Sequence, residues 1–327
     1  MKSAITPARV RPVTQQNPHR LPRHILPVHY ELELEPDLDN ASFVGEVSIT
    51  LDIVSETDTV VLNAAELEID NVWIEQNEAV QASSVDFDED LERVNFAFPV
   101  VLQPGRANLR CSFKGILNDK LRGFYRSTWK DESGLEHVIA TTQFESTNAR
   151  RAFPCFDEPD LKASFGVTLR VKDSLMAISC GELVSSLPIE DGKREDRFAD
   201  TMIMSTYLVA FIVGELEATD PVDVDGVPLR IVHVPGKANL TDFGLQAGEF
   251  SLRWLVNYYG IPYPAGKLDL VAVPDFAFGA MENLGCVTFR ETLLLADPER
   301  TTQAELTRIV DVIAHEIAHM WFGNLVT

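Results

Sequence analysis

Basic residues are scarce in this 327-residue chain: 28 Lys and Arg stand against 50 Asp and Glu, a formal net charge of −22. Such a surface repels phosphate backbones and anionic headgroups, so neither nucleic acid nor a membrane surface is an expected partner. Long apolar runs are also missing, and nothing approaches the roughly 18 consecutive apolar residues of a membrane-spanning helix. Cysteine is rare. Cys111, Cys155, Cys180 and Cys286 are widely spaced with no CxxC pair, which argues against a disulfide scaffold and against a cysteine zinc knuckle. A reducing compartment, the cytoplasm, is the expected location.

Acidic residues are absent before Glu31, where Lys2, Arg9, Arg11, Arg20 and Arg23 are interrupted by Pro7, Pro12, Pro18, Pro22 and Pro27. This stretch has no apolar segment for a secretory signal, and its prolines break any transit-peptide helix. Residues 1–24 read as a basic, extended or disordered leader.

From Tyr30 the pattern acquires period two, with Tyr30, Leu32 and Leu34 alternating with glutamates as in a half-buried strand. Short strands are predicted around 44–53, 60–62, 67–73, 94–98, 109–113, 165–171, 176–180, 201–205 and 207–213. The charged stretch 190–200 reads as a hairpin tip. Many short strands with hardly any helical period predict a sandwich-like all-β domain over residues 25–218. Residues 219–327 have a different texture: strands are predicted at 229–234, 268–273 and 286–289, and a helical period at 243–259. A last helix opens on Thr302 and Glu305, spaced as a capping box, and continues with Leu306, Ile309, Val310, Ile313 and Ile317 on one stripe.

That helix carries His315-Glu316-Ile317-Ala318-His319, an HExxH pattern. The i, i+4 spacing sets both imidazoles on one helix face, where they can reach a single Zn²⁺. Glu316, one step round, can take a proton from a water polarised by that ion. With 7 histidines in the chain, such a pattern is expected by chance only roughly 0.01 times. A catalytic zinc site takes three protein ligands, and no His, Cys, Asp or Glu follows His319. Asp275, Glu282 and Glu291 are conceivable third ligands from upstream; the favoured explanation is a chain that is part of a longer polypeptide. Asp311, one turn before His315, reads as a solvated helix charge, and Cys155 as a buried structural thiol.

Gly279-Ala280-Met281-Glu282-Asn283 followed by His315-Glu316-Ile317-Ala318-His319 and then Met320-Trp321-Phe322-Gly323-Asn324-Leu325-Val326-Thr327 resembles the M1 zinc aminopeptidases, the aminopeptidase N type of gluzincin. Thr142-Gln143-Phe144-Glu145 and the run Arg150–Pro159 are similar to that family as well, in the family's order. The resemblance implies a saddle-like β domain, then the start of a thermolysin-like α+β zinc peptidase domain. It implies one Zn²⁺ held by His315 and His319, Glu316 as general base, and peptide substrates with a free N-terminal amine. Glu145 and Glu282 would bind that amine, since two carboxylates converging on an ammonium select a chain terminus over an internal bond. Gly279, Ala280, Met281, Glu282 and Asn283 would bind the substrate backbone as an added strand, and Gln143, with Met281, would line the first side-chain pocket. Trp321, Gly323 and Asn324 would serve packing. In relatives a third ligand, a Glu, and an oxyanion-stabilising Tyr come later, beyond Thr327, so the chain alone is expected to be inactive and to hold zinc weakly. Two other readings are a non-catalytic β-rich interaction module with a dead peptidase remnant, and a thermolysin-like endopeptidase, which would not need Glu145 and Glu282.

Overall fold

The computed structural model describes residues 20–327; the basic segment up to residue 19 lies outside the described residues. The last residues assigned to the leader are docked rather than loose. Leu21 is buried, and Arg20 and Arg23 pair with Glu158 and Asp160. One apolar side chain and two arginines, each paired with both carboxylates, tie this segment to the body.

The alternation that begins at Tyr30 becomes the strand Ile25–Asp37, with Tyr30, Leu32 and Leu34 facing the core. It lies in the middle of an eight-stranded sheet ordered Leu183–Ile189, Lys193–Phe198, Ser164–Lys172, Ile25–Asp37, Ser42–Ile53, Gly105–Ile116, Glu68–Glu75 and Ala79–Gln81. A three-stranded sheet (Thr57–Asn63, Arg93–Leu102, Ser84–Asp88) and a four-stranded one (Met176–Ser179, Phe211–Gly214, Glu136–Gln143, Gly123–Lys130) complete the β domain. Aromatic rings fill its core: Phe124 meets Phe211 edge-on and Tyr30 stacks on Phe165. The Arg150–Pro159 run is a buried turn closed by Arg150 on Asp157 at 2.9 Å, and Cys155 within it is a fully buried thiol whose pKa burial drives up.

Several readings from the sequence differ from this fold, and Leu183–Ile189 is a strand that was not predicted. Strands Gly123–Lys130 and Glu136–Gln143 were not predicted, because Ser127, Thr141, Thr142 and Gln143 are polar yet buried and blur the apolar alternation. Thr201–Ser205 is no strand; it makes a single bridge, Met204 to Ala163. Within 190–200, Lys193–Phe198 is itself a strand and only Glu190–Gly192 is the tip.

The second domain is built on a mixed sheet ordered Glu217–Ala218, Val227–His233, Leu268–Val273, Cys286–Arg290 and Ala280–Met281. Glu217 and Ala218 pair with His233 and Val232, so the domain begins a little before residue 219. Val227–His233, Leu268–Val273 and Cys286–Arg290 run parallel, which requires long crossovers. The helix α1, Asp242–Tyr259, makes the first of them. Leu268–Val273 is buried at every position, as expected of a parallel strand covered on both faces.

The last helix, α2, spans Gln303–Ala318 and packs on α1. Its capping box is formed: the Glu305 amide donates to Thr302 Oγ1 at 3.3 Å, and the Thr302 amide donates to Glu305 Oε2 at 2.8 Å. Thr302→Ala removes the acceptor for one otherwise free helix amide and should cost about 1 kcal/mol. Urea denaturation checks this; Thr302→Ser should recover the loss. No described helix is long and apolar enough to cross a membrane.

Candidate active site

Ile309, Val312, Ile313 and Ile317 are buried and anchor α2, which orients the rest of its face. His315 and His319 then stand one above the other, with their Nε2 atoms 3.1 Å apart. Two nitrogens held by one tetrahedral ion at about 2.0–2.1 Å would be about 3.3 Å apart, so this separation suits a shared metal. His319 Nδ1 lies 2.9 Å from the Phe322 carbonyl oxygen, which can only accept. The proton therefore sits on Nδ1, and Nε2 keeps its lone pair for a metal. The turn allowing this has Gly323 at φ +127°, where an added Cβ would also come within 3.1 Å of the His319 ring.

Glu316 is buried beneath this pair, and Glu282 is buried beside it. The carboxylates of Glu282 and Glu316 and a ring nitrogen of His319 all lie within 4.8 Å of one another. Burial, then the charges of Glu282 and Glu145, push Glu316 up to about 8. Glu145 is surface-exposed, yet its carboxyl is raised as well, by partial loss of solvent first and by Glu282 second, against a downward pull from His319. Glu316 and Glu145 are thus both raised by the negative charge of Glu282 beside them, and a cation placed there would relieve that repulsion. Burial and then the neighbouring His319 lower His315, favouring the neutral imidazole that binds metals. The donor set thus fits zinc: two imidazoles with their Nε2 atoms side by side, and carboxylates close by.

Of the upstream carboxylates considered as third ligands, only Glu282 is gathered here. Asp275 accepts from the Thr128 amide at 2.9 Å, and Glu291 faces Lys237 at 3.7 Å. Asp311 pairs with Arg308 at 2.8 Å on the exposed side of α2.

The segment before Glu282 is an edge. Ala280 and Met281 pair with Phe289 and Thr288 on one side and end the sheet on the other, leaving main-chain groups for a further strand. Gly279 accepts from the Arg290 amide at 2.9 Å. Gln143 and Met281 touch, Nε2 to Sδ at 3.5 Å, and both are fully buried, so they form the floor beneath this edge. Asn283 is buried and donates to Thr288 Oγ1 at 3.2 Å.

Several contacts were not legible in the sequence. Asn324 packs as expected, but its Nδ2 also donates to the Glu282 carbonyl at 2.9 Å and thereby holds that loop. Lys162 and Tyr207, both from the β domain, donate to the carbonyls of Asn324 and Gly323 at 3.3 Å. Tyr207 stands near the acidic cluster, and burial followed by Glu282 and Glu145 push its phenol up to about 12. Tyr207 lies in a 3₁₀ turn, Thr206–Leu208, with the strand beginning only at Phe211, whereas the sequence reads 207–213 as one apolar strand and gives no signal of this.

A β-rich domain seated on an α+β domain, with an HExxH helix and a carboxylate cluster at their junction, defines a metallopeptidase-type architecture. Residues 26–208 match the peptidase M1 N-terminal domain and residues 243–327 the peptidase family M1 domain. The chain belongs to the M1 peptidase family. It is 44% identical over 311 residues to a puromycin-sensitive aminopeptidase of Caenorhabditis elegans, covering 94% of this chain and 33% of that protein. It is 42% identical over 318 residues to aminopeptidase M1 of Arabidopsis thaliana, covering 94% of this chain and 35% of that protein. Human endoplasmic reticulum aminopeptidase 1 is 38% identical over 320 residues, 95% of this chain and 34% of that protein. The chain therefore spans about a third of the length of these curated relatives.

Proposed function

We propose that this chain belongs to a zinc-dependent aminopeptidase that releases single residues from the N-terminus of peptides. The observation that carries the proposal is the convergence of His315 and His319 at 3.1 Å beside Glu316 and Glu282, with Glu145 brought in from the other domain. In the complete protein His315 and His319 would hold Zn²⁺ together with one further carboxylate. Zinc, when bound, supplies a positive charge that polarises a peptide carbonyl and acidifies water. Glu282 and Glu145 would take the substrate ammonium, and the Ala280–Met281 edge would align the substrate backbone. Glu316 would accept a proton from the attacking water and return it to the departing amide nitrogen. The buried contact of Gln143 with Met281 supports a floor for the first side-chain pocket.

The acidic surface fits a protein that binds neither nucleic acid nor anionic membrane. Four free, buried cysteines fit the cytoplasm.

Chelation tests the reading. Dialysis of the complete enzyme against a strong chelator should abolish hydrolysis of aminoacyl arylamides, and one equivalent of Zn²⁺ should restore it. His319→Ala should abolish both bound zinc and activity. Full activity in the metal-stripped protein would refute the proposal.

A further inference from the structure

The amine-binding pair comes from two bodies. Glu145 follows the β-domain strand Glu136–Gln143, whereas Glu282 follows the edge Ala280–Met281 of the other domain. Their separation therefore depends on how the two domains are joined, and one residue makes four hydrogen bonds across that joint.

Asp275 crosses it. Its amide donates to Ser127 Oγ at 2.8 Å, and its carbonyl accepts from the Tyr125 hydroxyl at 2.9 Å. Its Oδ2 accepts from the Thr128 amide at 2.9 Å and from Thr128 Oγ1 at 3.1 Å. Donor, acceptor and carboxylate of one residue thus engage three residues of a single strand, about which Tyr125 and Ser127 are fully buried. That strand, Gly123–Lys130, pairs on its inner side with Glu136–Gln143, Gly123 opposite Gln143. Asp275 is accordingly registered to the strand that ends two residues before Glu145.

The other side of the joint is equally tied. The Arg290 guanidinium donates to the Phe276 carbonyl at 3.2 Å and the Ala277 carbonyl at 3.0 Å, and the Arg290 amide donates to Gly279. With the loop from Phe276 to Gly279 braced on Arg290, a shift at Asp275 is carried into Ala280–Met281 and Glu282 rather than absorbed.

We propose that Asp275 is a positioning residue that sets Glu282 opposite Glu145 across the domain junction, so that both carboxylates meet one ammonium group. This rests on the amine-anchor reading above. Its test is a mutant cycle in the complete enzyme, with a free-amine aminoacyl arylamide and thermal midpoints measured alongside. Asp275→Ala should raise KM about 10-fold with kcat changed less than about 2-fold, the signature of lost uniform binding. Asp275→Asn, which keeps an oxygen toward Thr128, should recover most of that loss. Tyr125→Phe, which deletes one of the four bonds with little change of shape, should raise KM about 3-fold; it serves where Asp275→Ala does not fold. In a Glu282→Ala background either change should add nothing, because the group being positioned is gone. An undiminished KM effect in that background, or a fall in kcat alone, overturns the proposal. If Glu282→Ala itself leaves KM and kcat at wild-type values, the amine-anchor reading fails first, and the proposal with it.

Discussion

Glu316→Gln in the complete enzyme should lower kcat by about 10²–10⁴-fold while zinc content stays at one per chain. Gln fills the same volume but cannot accept the proton of the attacking water. Glu316 lies under the imidazole pair and among two other carboxylates that disfavour its ionised form, so the substitution puts a neutral amide where the metal-free site already favours a neutral carboxyl. The thermal midpoint of the metal-free protein should therefore not fall, which separates a loss of chemistry from a loss of fold. Metal analysis and steady-state kinetics on the same preparation decide the matter. Loss of zinc in the variant would make Glu316 a ligand or a support and overturn its role as base.

Removing either carboxylate proposed to bind the amine should have the next largest effect, and it should be selective. A buried charge-assisted contact deprived of one partner costs about 2–5 kcal/mol, so Glu282→Ala or Glu145→Ala should reduce kcat/KM for free-amine aminoacyl arylamides roughly 30-fold or more. Glu282 is the more buried of the two and should show the greater loss. N-acetylated versions of the same substrates should be poor for the wild type and nearly indifferent to either substitution, since they carry no ammonium to lose. Efficient cleavage of N-blocked or internal bonds by the wild type would assign the protein to endopeptidases instead.

The parts of this molecule that were readable in its sequence are those whose determinants lie close together along the chain. The pairing of His315 with His319 follows from 3.6 residues per turn, and the capping box at Thr302 and Glu305 from a spacing of three. The alternation at Tyr30, Leu32 and Leu34 marked a strand because one face of it is buried. Where a strand buries polar groups, as at Thr141, Thr142 and Gln143, that signal vanished and the element went unseen. Glu145 was singled out by resemblance alone, and Glu282, conceivable as a metal ligand from its residue type, gained its amine-binding role only from the resemblance; as isolated residues they are a surface charge and a loop charge.

Local periodicity by itself thus determined the β-rich front, the change of texture near residue 219 and the imidazole pair on α2. Only the tertiary structure decided which carboxylates stand beside that pair. It drew in Glu282 and turned Asp275 toward Thr128, Glu291 toward Lys237 and Asp311 toward Arg308. It also placed Asn324, Lys162 and Tyr207 around the turn that orients His319 and Glu282. The physical reason is that a side chain's nearest charges and hydrogen-bond partners across a domain junction are fixed by how the two domains pack. That packing depends on sheet edges and loop braces far apart in the chain, for which no spacing in the sequence is a measure.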